Sequence, residues 1–282
     1  MPRTLRTVRY GELIADALLK GSQAGIKPLD AELLLCDAFA ISRGRYWTIR
    51  PDEITDKQGQ KRFSRNLRRL LRGEPLYYIL KKREFFSRSF CVDRRVLVPR
   101  PETETLVEQA LARIRPKDTI LDIGAGSGCV SITLALEADV RVTALEIDRR
   151  ARRLLQCNLD RFRVETRVRV CGGNLFPRHG GPWRMIVANP PYLSSQEYHA
   201  LPKHIRGFEP RRALVGGHEG TEILHRIIHG SHSRIHPGGW LLLETGYNQA
   251  RGIAQEMKAR GFHDIQIIPD LAGIERVVMG RH

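Results

Sequence analysis

From Tyr10 to Leu71 the apolar positions recur at helical spacing: Leu13, Ala17 and Leu18, then Leu33, Leu34 and Ala38, then Phe63, Leu67, Leu70 and Leu71. This spacing predicts a small helical bundle. Breaks at Gly25 to Pro28, Arg43-Gly44 and Arg50-Pro51 divide its helices, with Asp30 and Asp52 as candidate caps. Glu84 to Val98 places two aromatic or β-branched runs around polar residues and closes at Pro99 and Pro101, which predicts a β-hairpin. After Glu102, short β-branched runs alternate with helical stretches, the signature of βαβ units around a mainly parallel sheet. Strands are predicted at Thr119 to Ile123, Arg141 to Glu146, Arg167 to Val170, Met185 to Ala188, Trp240 to Glu244, His263 to Ile268 and Glu275 to Val278. Only Pro269 to Ile274 separates the last two, too little for a helical crossover, so the last strand is expected to be antiparallel. The expected organisation is a helical bundle over residues 1–80, a hairpin linker over 81–100 and an α/β domain over 101–282.

Composition narrows the class. The 282 residues are 41% hydrophobic and 28% charged, with mean hydropathy -0.33, values of a soluble globular protein. No apolar run approaches membrane-spanning length. The 47 Lys and Arg against 31 Asp and Glu leave a formal charge of +16, which favours acidic partners or phosphate backbones without specifying any chemistry. The five cysteines are scattered and never spaced C-x-x-C, so neither a disulfide framework nor a zinc knuckle is expected, and a reducing cytoplasm fits. Met1 to Arg9 is basic with no apolar core behind it, so no secretory signal is expected.

The predicted strand Thr119 to Ile123 runs into Gly124-Ala125-Gly126-Ser127-Gly128 and then into a helical stretch from Cys129. Glycines there let the backbone turn sharply and approach a ligand at the carboxyl end of the first strand. The next strand ends in Glu146, near the spacing at which an acid meets ribose hydroxyls, so loop and carboxylate together favour a nucleoside ligand. A dinucleotide loop reads G-x-G-x-x-G; here Cys129 occupies the place of its third glycine, which makes NAD the weaker candidate. The pattern D-x-G-x-G-x-G resembles the S-adenosylmethionine loop of class I methyltransferases, a likeness in which Asp122 helps to hold the loop and the ligand's ammonium group.

Downstream, the buried-looking strand Arg184 to Ala188 ends in Asn189-Pro190-Pro191-Tyr192. The prolines stop the strand and donate no hydrogen bond, so the Asn189 side chain and a backbone carbonyl can form a rigid pair of acceptors suited to a planar NH2. An amide nitrogen is a poor nucleophile because its lone pair is delocalised. Two preset acceptors on its hydrogens stabilise the positive charge that grows there during methylation. Tyr192 is then a candidate for stacking on the planar group. The motif does not say whose NH2 it holds: adenine, cytosine and glutamine each present one.

Taken together, the chain resembles the HemK-type glutamine methyltransferases that modify peptide chain release factors. The similarity runs along nearly the whole sequence, through Leu29 to Leu34, Gly73-Glu74-Pro75, Val98 to Glu104, the glycine loop, Asn189 to Tyr192, Phe208-Glu209-Pro210 with Ala213-Leu214, Gly238-Gly239, Leu243 to Gly246, Asp270 to Gly273 and Arg276-Val277-Val278. The resemblance implies a class I, Rossmann-like methyltransferase domain. It also implies methyl transfer from S-adenosylmethionine, with S-adenosylhomocysteine as product, to the glutamine of the Gly-Gly-Gln loop of class I release factors. By the same likeness, Gly124, Ala125, Gly126, Ser127 and Gly128 contact the methionine part, Glu146 the ribose, and Asn174 and Leu175 the adenine region. Asn189, Pro190, Pro191 and Tyr192 meet the substrate glutamine, and Arg100 to Glu104 border the pocket. The family usually has Asp where this chain has Glu146, and Asp in the segment occupied by Gly173 to Phe176. The first change keeps the carboxylate and lengthens its reach; the second loses a charge at Asn174 but keeps a carbonyl acceptor and gains a donor.

Other features carry less. Lys61, Arg62, Arg65, Arg68, Arg69 and Arg72 form an acid-free basic run, either a solvated helix face or a docking surface for an acidic partner. His225, His229, His232 and His236 would share one helix face, but neighbouring apolar residues and the absence of a Cys or carboxylate cluster favour structure over metal, and Gly230 is expected to interrupt the helix. Cys129 reads as a packed residue rather than a nucleophile. The reading is therefore a monomeric, cytoplasmic release factor methyltransferase without metal, membrane or stable nucleic-acid binding, its bundle helping to seat a protein substrate. The alternatives are a nucleic acid amino-methyltransferase and a basic binding module that merely retains a cofactor pocket.

Overall fold

The computed structural model describes residues 8–21 and 26–282. Most of the basic start of the chain, and Gly25 of the first predicted break, lie outside the described residues. The chain divides into two compact units, one running to Lys81 and including Lys203–Phe208, the other comprising Lys82–Pro202 and Glu209–His282.

The first unit is helical: α1 (Tyr10–Gly21), α2 (Pro28–Phe39), α3 (Arg43–Ile49), α4 (Lys57–Leu71) and α5 (Leu76–Leu80). Ala17, Leu34 and Phe63, which the helical periodicity predicts, form its buried centre together with Leu35 and Tyr46, which it does not mark. The caps differ from expectation. Pro28, with φ preset and no N–H to satisfy, starts α2 and leaves Asp30 inside its first turn. Ser42 caps α3, and Asp56 rather than Asp52 caps α4, its Oδ1 accepting from the Gln58 and Gly59 N–H groups at 2.9 Å.

The second unit opens with an antiparallel hairpin of β1 (Lys82–Phe85) and β2 (Arg88–Cys91). The hairpin is shorter than predicted. The Asp93 Oδ1 accepts from the Arg95 N–H at 3.0 Å, and the turn this makes takes Val96 and Val98 into the core outside any strand. There follow α6 (Glu102–Leu111), β3 (Thr119–Ile123), α7 (Cys129–Glu137), β4 (Arg141–Glu146), α8 (Arg149–Phe162), β5 (Val168–Gly172) and β6 (Trp183–Ala188). Next come the short pair β7 (Leu193–Ser194) and β8 (Val215–Gly217), with α9 (Ser195–Ala200) and the one-turn α10 (Lys203–Arg206), which belongs to the first unit, in the chain between them. The unit closes with α11 (Glu222–Ser231), β9 (Ile235–Glu244), α12 (Ala250–Ala259), β10 (His263–Pro269) and β11 (Glu275–Arg281).

Seven of these strands form one sheet in the order β10-β11-β9-β6-β3-β4-β5, parallel except for β11, which runs antiparallel to both neighbours. Alternation of side chains sends Ile120, Val187 and Leu242 to one face, under α6, α7 and α8, and Leu121, Ile186 and Leu241 to the other, under α11 and α12. Because the chain steps from β3 outward to β4 and β5 and then returns to β6 on the other side of β3, the ends of β3, β4 and β6 stand side by side at a topological switch point. Two histidine expectations change: α11 ends at Ser231 and His236 lies in β9, so the four histidines do not share a helix, and Gly230 sits inside α11, where a Cβ would come within 2.2 Å of the Phe176 ring.

Candidate active site at the carboxyl ends of the strands

The glycine loop leaves β3 and enters α7 through Gly128, whose φ of 83° and position 2.2 Å from the Leu155 Cδ1, measured from a hypothetical Cβ, exclude any side chain there. The loop is stapled to the end of β4: the Gly124 and Ala125 N–H groups donate to the Leu145 carbonyl at 2.8 and 3.0 Å. The Glu146 Oε2 accepts from the Gly126 N–H at 3.0 Å while its Oε1 accepts from the Asp148 N–H at 2.8 Å. One carboxylate thus orders the loop from below and still has lone pairs for a ligand. Asp122, buried at the end of β3, accepts from the Ser131 N–H at 3.1 Å and from the Ser131 hydroxyl. Burial pushes its carboxyl up to about 6, against the pull of those bonds.

Asn158, wholly buried on α8, donates from Nδ2 to the Ser127 carbonyl at 2.8 Å and accepts at Oδ1 from the Cys91 N–H at 2.8 Å. It ties the loop to the hairpin, and nothing in its local sequence marks it out.

Asn189 follows β6, and its backbone carbonyl lies 3.9 Å from a Cβ built on Gly124. Its Nδ2 donates to the Thr103 Oγ1 at 2.9 Å, and the Thr103 hydroxyl donates in turn to the Glu244 Oε2 at 2.7 Å. Thr103 and Glu244 are both buried, and burial pushes the Glu244 carboxyl up to about 7. Both residues stand in segments that carry the family resemblance, and no local pattern marks Glu244 for a role. Arg100 donates from Nη2 to both oxygens of Glu209 at 2.7 Å, joining the segment before α6 to the Glu209-Pro210 turn.

These elements enclose a cavity of about 640 Å³, a size typical of small-molecule and cofactor sites. Asp122, Gly124, Ala125, Gly126, Ser127, Glu146, Asn174, Leu175, Asn189, Pro190, Pro191 and Arg100 all line it. Gly128, Glu104 and Tyr192 do not. Gly128 acts one step behind the loop, as the hinge into α7. Glu104 turns to the hairpin, where its Oε1 accepts from the Phe86 N–H at 2.9 Å, because α6 directs that position away from the opening. Tyr192 packs against the apolar layer under α11, burial pushes its hydroxyl up to about 12, and its carbonyl accepts from Gln249 Nε2 at 2.8 Å. Cys129 lines the cavity with its thiol pushed up to about 12 by burial, which leaves it unreactive.

The lining suits a nucleoside-bearing cofactor. Leu145, Ile147 and Leu175 supply an apolar wall, Glu146 a carboxylate for a diol, and the glycine loop close backbone approach. Leu175 takes φ of 64°, a left-handed conformation that a Leu adopts only when its surroundings impose it, and it does so at the cavity wall.

Residues 14–80 match the PrmC N-terminal domain family and residues 101–205 the methyltransferase small domain family. The chain is 37% identical to a release factor glutamine methyltransferase of Koribacter versatilis, over 94% of this chain and 96% of that one. It is 38% identical to one of Salmonella typhimurium, over 89% and 91%. Among solved structures, a methyltransferase from Pyrococcus furiosus superposes with TM-score 0.55 at 18% identity, covering 77% of this chain and 98% of that one. The hMettl16 catalytic domain, in complex with a MAT2A 3'UTR hairpin, superposes with TM-score 0.58 at 17% identity, over 73% and 79%. At such identities the structures speak for the fold alone.

Proposed function

Because the chain belongs to the release factor glutamine methyltransferase family, we propose that it methylates the side-chain amide nitrogen of the glutamine in the Gly-Gly-Gln loop of class I peptide chain release factors. The observation that carries this reading is the Asn189 carboxamide, anchored through its Nδ2 on Thr103 at the rim of a nucleoside-sized cavity, with its oxygen left as an acceptor.

S-adenosylmethionine, when bound, supplies an electrophilic methyl carbon on a sulfonium and departs as S-adenosylhomocysteine. Gly124 to Ser127 and Glu146 hold it, with Asn174 and Leu175 on the adenine side and Asp122 bracing the loop. The Asn189 Oδ1 and the Pro190 carbonyl accept the two N–H bonds of the substrate glutamine. Pro191 keeps that pair rigid, Tyr192 fills the space behind it, and Arg100, locked to Glu209, shapes the entrance. As the new N–C bond forms, the nitrogen becomes cationic; the two acceptors stabilise that charge until one N–H proton leaves to solvent and the N-methyl amide remains. Alignment of both reactants supplies much of the rate, effective molarities for oriented pairs reaching about 10⁵ M or more. No side-chain nucleophile is needed. Residues 1–80 serve as a docking module, 81–100 as the linker and 101–282 as the methyltransferase domain, acting as a monomer in the cytoplasm, where release factors work.

The test uses labelled cofactor with, in separate tubes, release factor, release factor with its loop glutamine replaced, duplex DNA and RNA. Label in the first alone is expected. Label in nucleic acid would identify an amino-methyltransferase of bases, and label nowhere a module that only binds the cofactor.

A further inference from the structure

We propose that Thr103 and Glu244 are positioning residues, a two-step hydrogen-bond relay that decides which end of the Asn189 carboxamide faces the substrate. This deepens the glutamine-methylation reading and rests on it.

The two ends of a carboxamide have nearly the same shape and opposite hydrogen-bonding character. With Oδ1 toward the substrate, Asn189 accepts an N–H of the reacting amide; turned over, it sets NH2 against NH2 and binding fails. Packing alone discriminates poorly between those orientations. Thr103 does not discriminate either, since a hydroxyl donates or accepts equally well. Glu244 does. As a carboxylate it can only accept, so the Thr103 hydrogen is committed to it at 2.7 Å and the Thr103 oxygen is left to accept from Asn189 Nδ2 at 2.9 Å. The polarity of the whole chain is set from its inner end. Asn189 Oδ1 takes no hydrogen bond within the described residues, as an acceptor reserved for a ligand should. Thr103 and Glu244 are 2% and 1% exposed, so water does not compete for either bond.

The environment of Glu244 makes the relay sensitive to pH. Its carboxyl faces Arg100 from the chain entering α6, Glu102 and Thr103 on α6, Arg276 on β11, Tyr192 after β6 and Cys129 on α7. Arg276 is already engaged with the Asp270 carboxylate at 3.2 Å and the Thr245 carbonyl at 3.1 Å. Burial outweighs the two arginines and raises the carboxyl to about 7, while Tyr192 and Cys129 stay neutral up to about 12. Below about 7 Glu244 becomes a donor, Thr103 is free to donate outward, and the enforced orientation of Asn189 is lost.

The experiment compares wild type with Thr103→Val, Thr103→Ser and Glu244→Gln in methylation of a full-length release factor from pH 6 to 9, with cofactor Kd by calorimetry and the Asn189 side-chain NH2 followed by NMR. Thr103→Val, nearly isosteric, should lower kcat at least tenfold with cofactor Kd changed less than threefold, and Thr103→Ser should restore kcat to within about threefold. Wild-type activity should fall as pH drops through about 7. Glu244→Gln, whose amide enforces neither polarity, should be slower and lack that acid limb. A Thr103→Val enzyme of wild-type kcat, or an unchanged acid limb in Glu244→Gln, overturns the relay. Should wild type methylate no release factor, the substrate reading fails by itself and the NMR arm decides the relay. The relay requires an Asn189 NH2 slow to exchange above pH 7 in wild type and fast in Thr103→Val; identical exchange in the two overturns it.

Discussion

Replacing Glu146 by Ala strikes the joint between the glycine loop and β4. The carboxylate accepts from the Gly126 N–H at 3.0 Å and the Asp148 N–H at 2.8 Å and is 8% exposed, so both are bonds to a buried charge. Such bonds contribute about 1.5–3 kcal/mol each. The vacated space opens on the large cavity, so water reaches the freed N–H groups and brings the loss toward the lower end, about 3 kcal/mol for the pair. Part of this appears as lower stability and part as the work of ordering the loop when cofactor binds. The acceptor for the ribose diol is lost as well, which adds about 1.5 kcal/mol or more. Cofactor affinity should therefore drop by 2–4 kcal/mol, about 30- to 1,000-fold in Kd. Glu146→Gln keeps the volume but turns one acceptor into a donor facing an N–H, and should fall between, near tenfold. Calorimetric titration of S-adenosylmethionine and S-adenosylhomocysteine, beside thermal denaturation of the free proteins, separates affinity from folding. An Ala variant that is folded and binds within threefold of wild type would refute both the ribose role and the stapling argument.

Gly128→Ala must hold a side chain at φ of 83° against the Leu155 Cδ1 at 2.2 Å, and should lose about 2–4 kcal/mol of stability in urea denaturation; a loss under 1 kcal/mol would mean that the loop relaxes freely. Asp122 and Glu244 carry carboxyls raised to about 6 and about 7, so the folded chain holds more protons than the unfolded one between about pH 4 and 7, and both groups remove stability as pH rises through that window. Glu244→Gln should therefore gain stability relative to wild type between pH 5 and 8, by up to about 3 kcal/mol; a difference independent of pH would contradict the raised carboxyl. Lys61, Arg65 and Arg68 on α4 and Arg72 at its carboxyl cap are exposed at helical spacing along one stripe, whereas Arg62 and Arg69 are engaged with Asp56 and Glu74. Reversing three of the stripe's charges should slow methylation of a whole release factor more than of its isolated loop peptide, and equal losses would dismiss the stripe as a docking surface.

What the sequence determined by itself was everything carried by neighbours along the chain. Short β-branched runs between helical stretches mark the seven strands to within a few positions, except that β9 begins at Ile235, five residues before the predicted Trp240. A short final connection forced β11 to be antiparallel, and the glycine loop and Asn189-Pro190-Pro191-Tyr192 announced their backbone demands locally. At the caps of α2 and α4 and along the row of histidines the structure departs from the local pattern because a nearby residue, Pro28, Asp56 or Ile235 at the start of β9, makes the stronger claim. Tertiary structure alone decided which polar side chains meet. Thr103 lies 86 residues from Asn189 and 141 from Glu244, and no periodicity reports a bond across such distances. Only the return of the chain to β6 beside β3, followed by β9 beside β6, brings the three together, and burying them there is what turns a threonine and a glutamate with unremarkable local sequences into groups whose hydrogen-bond polarity must be settled.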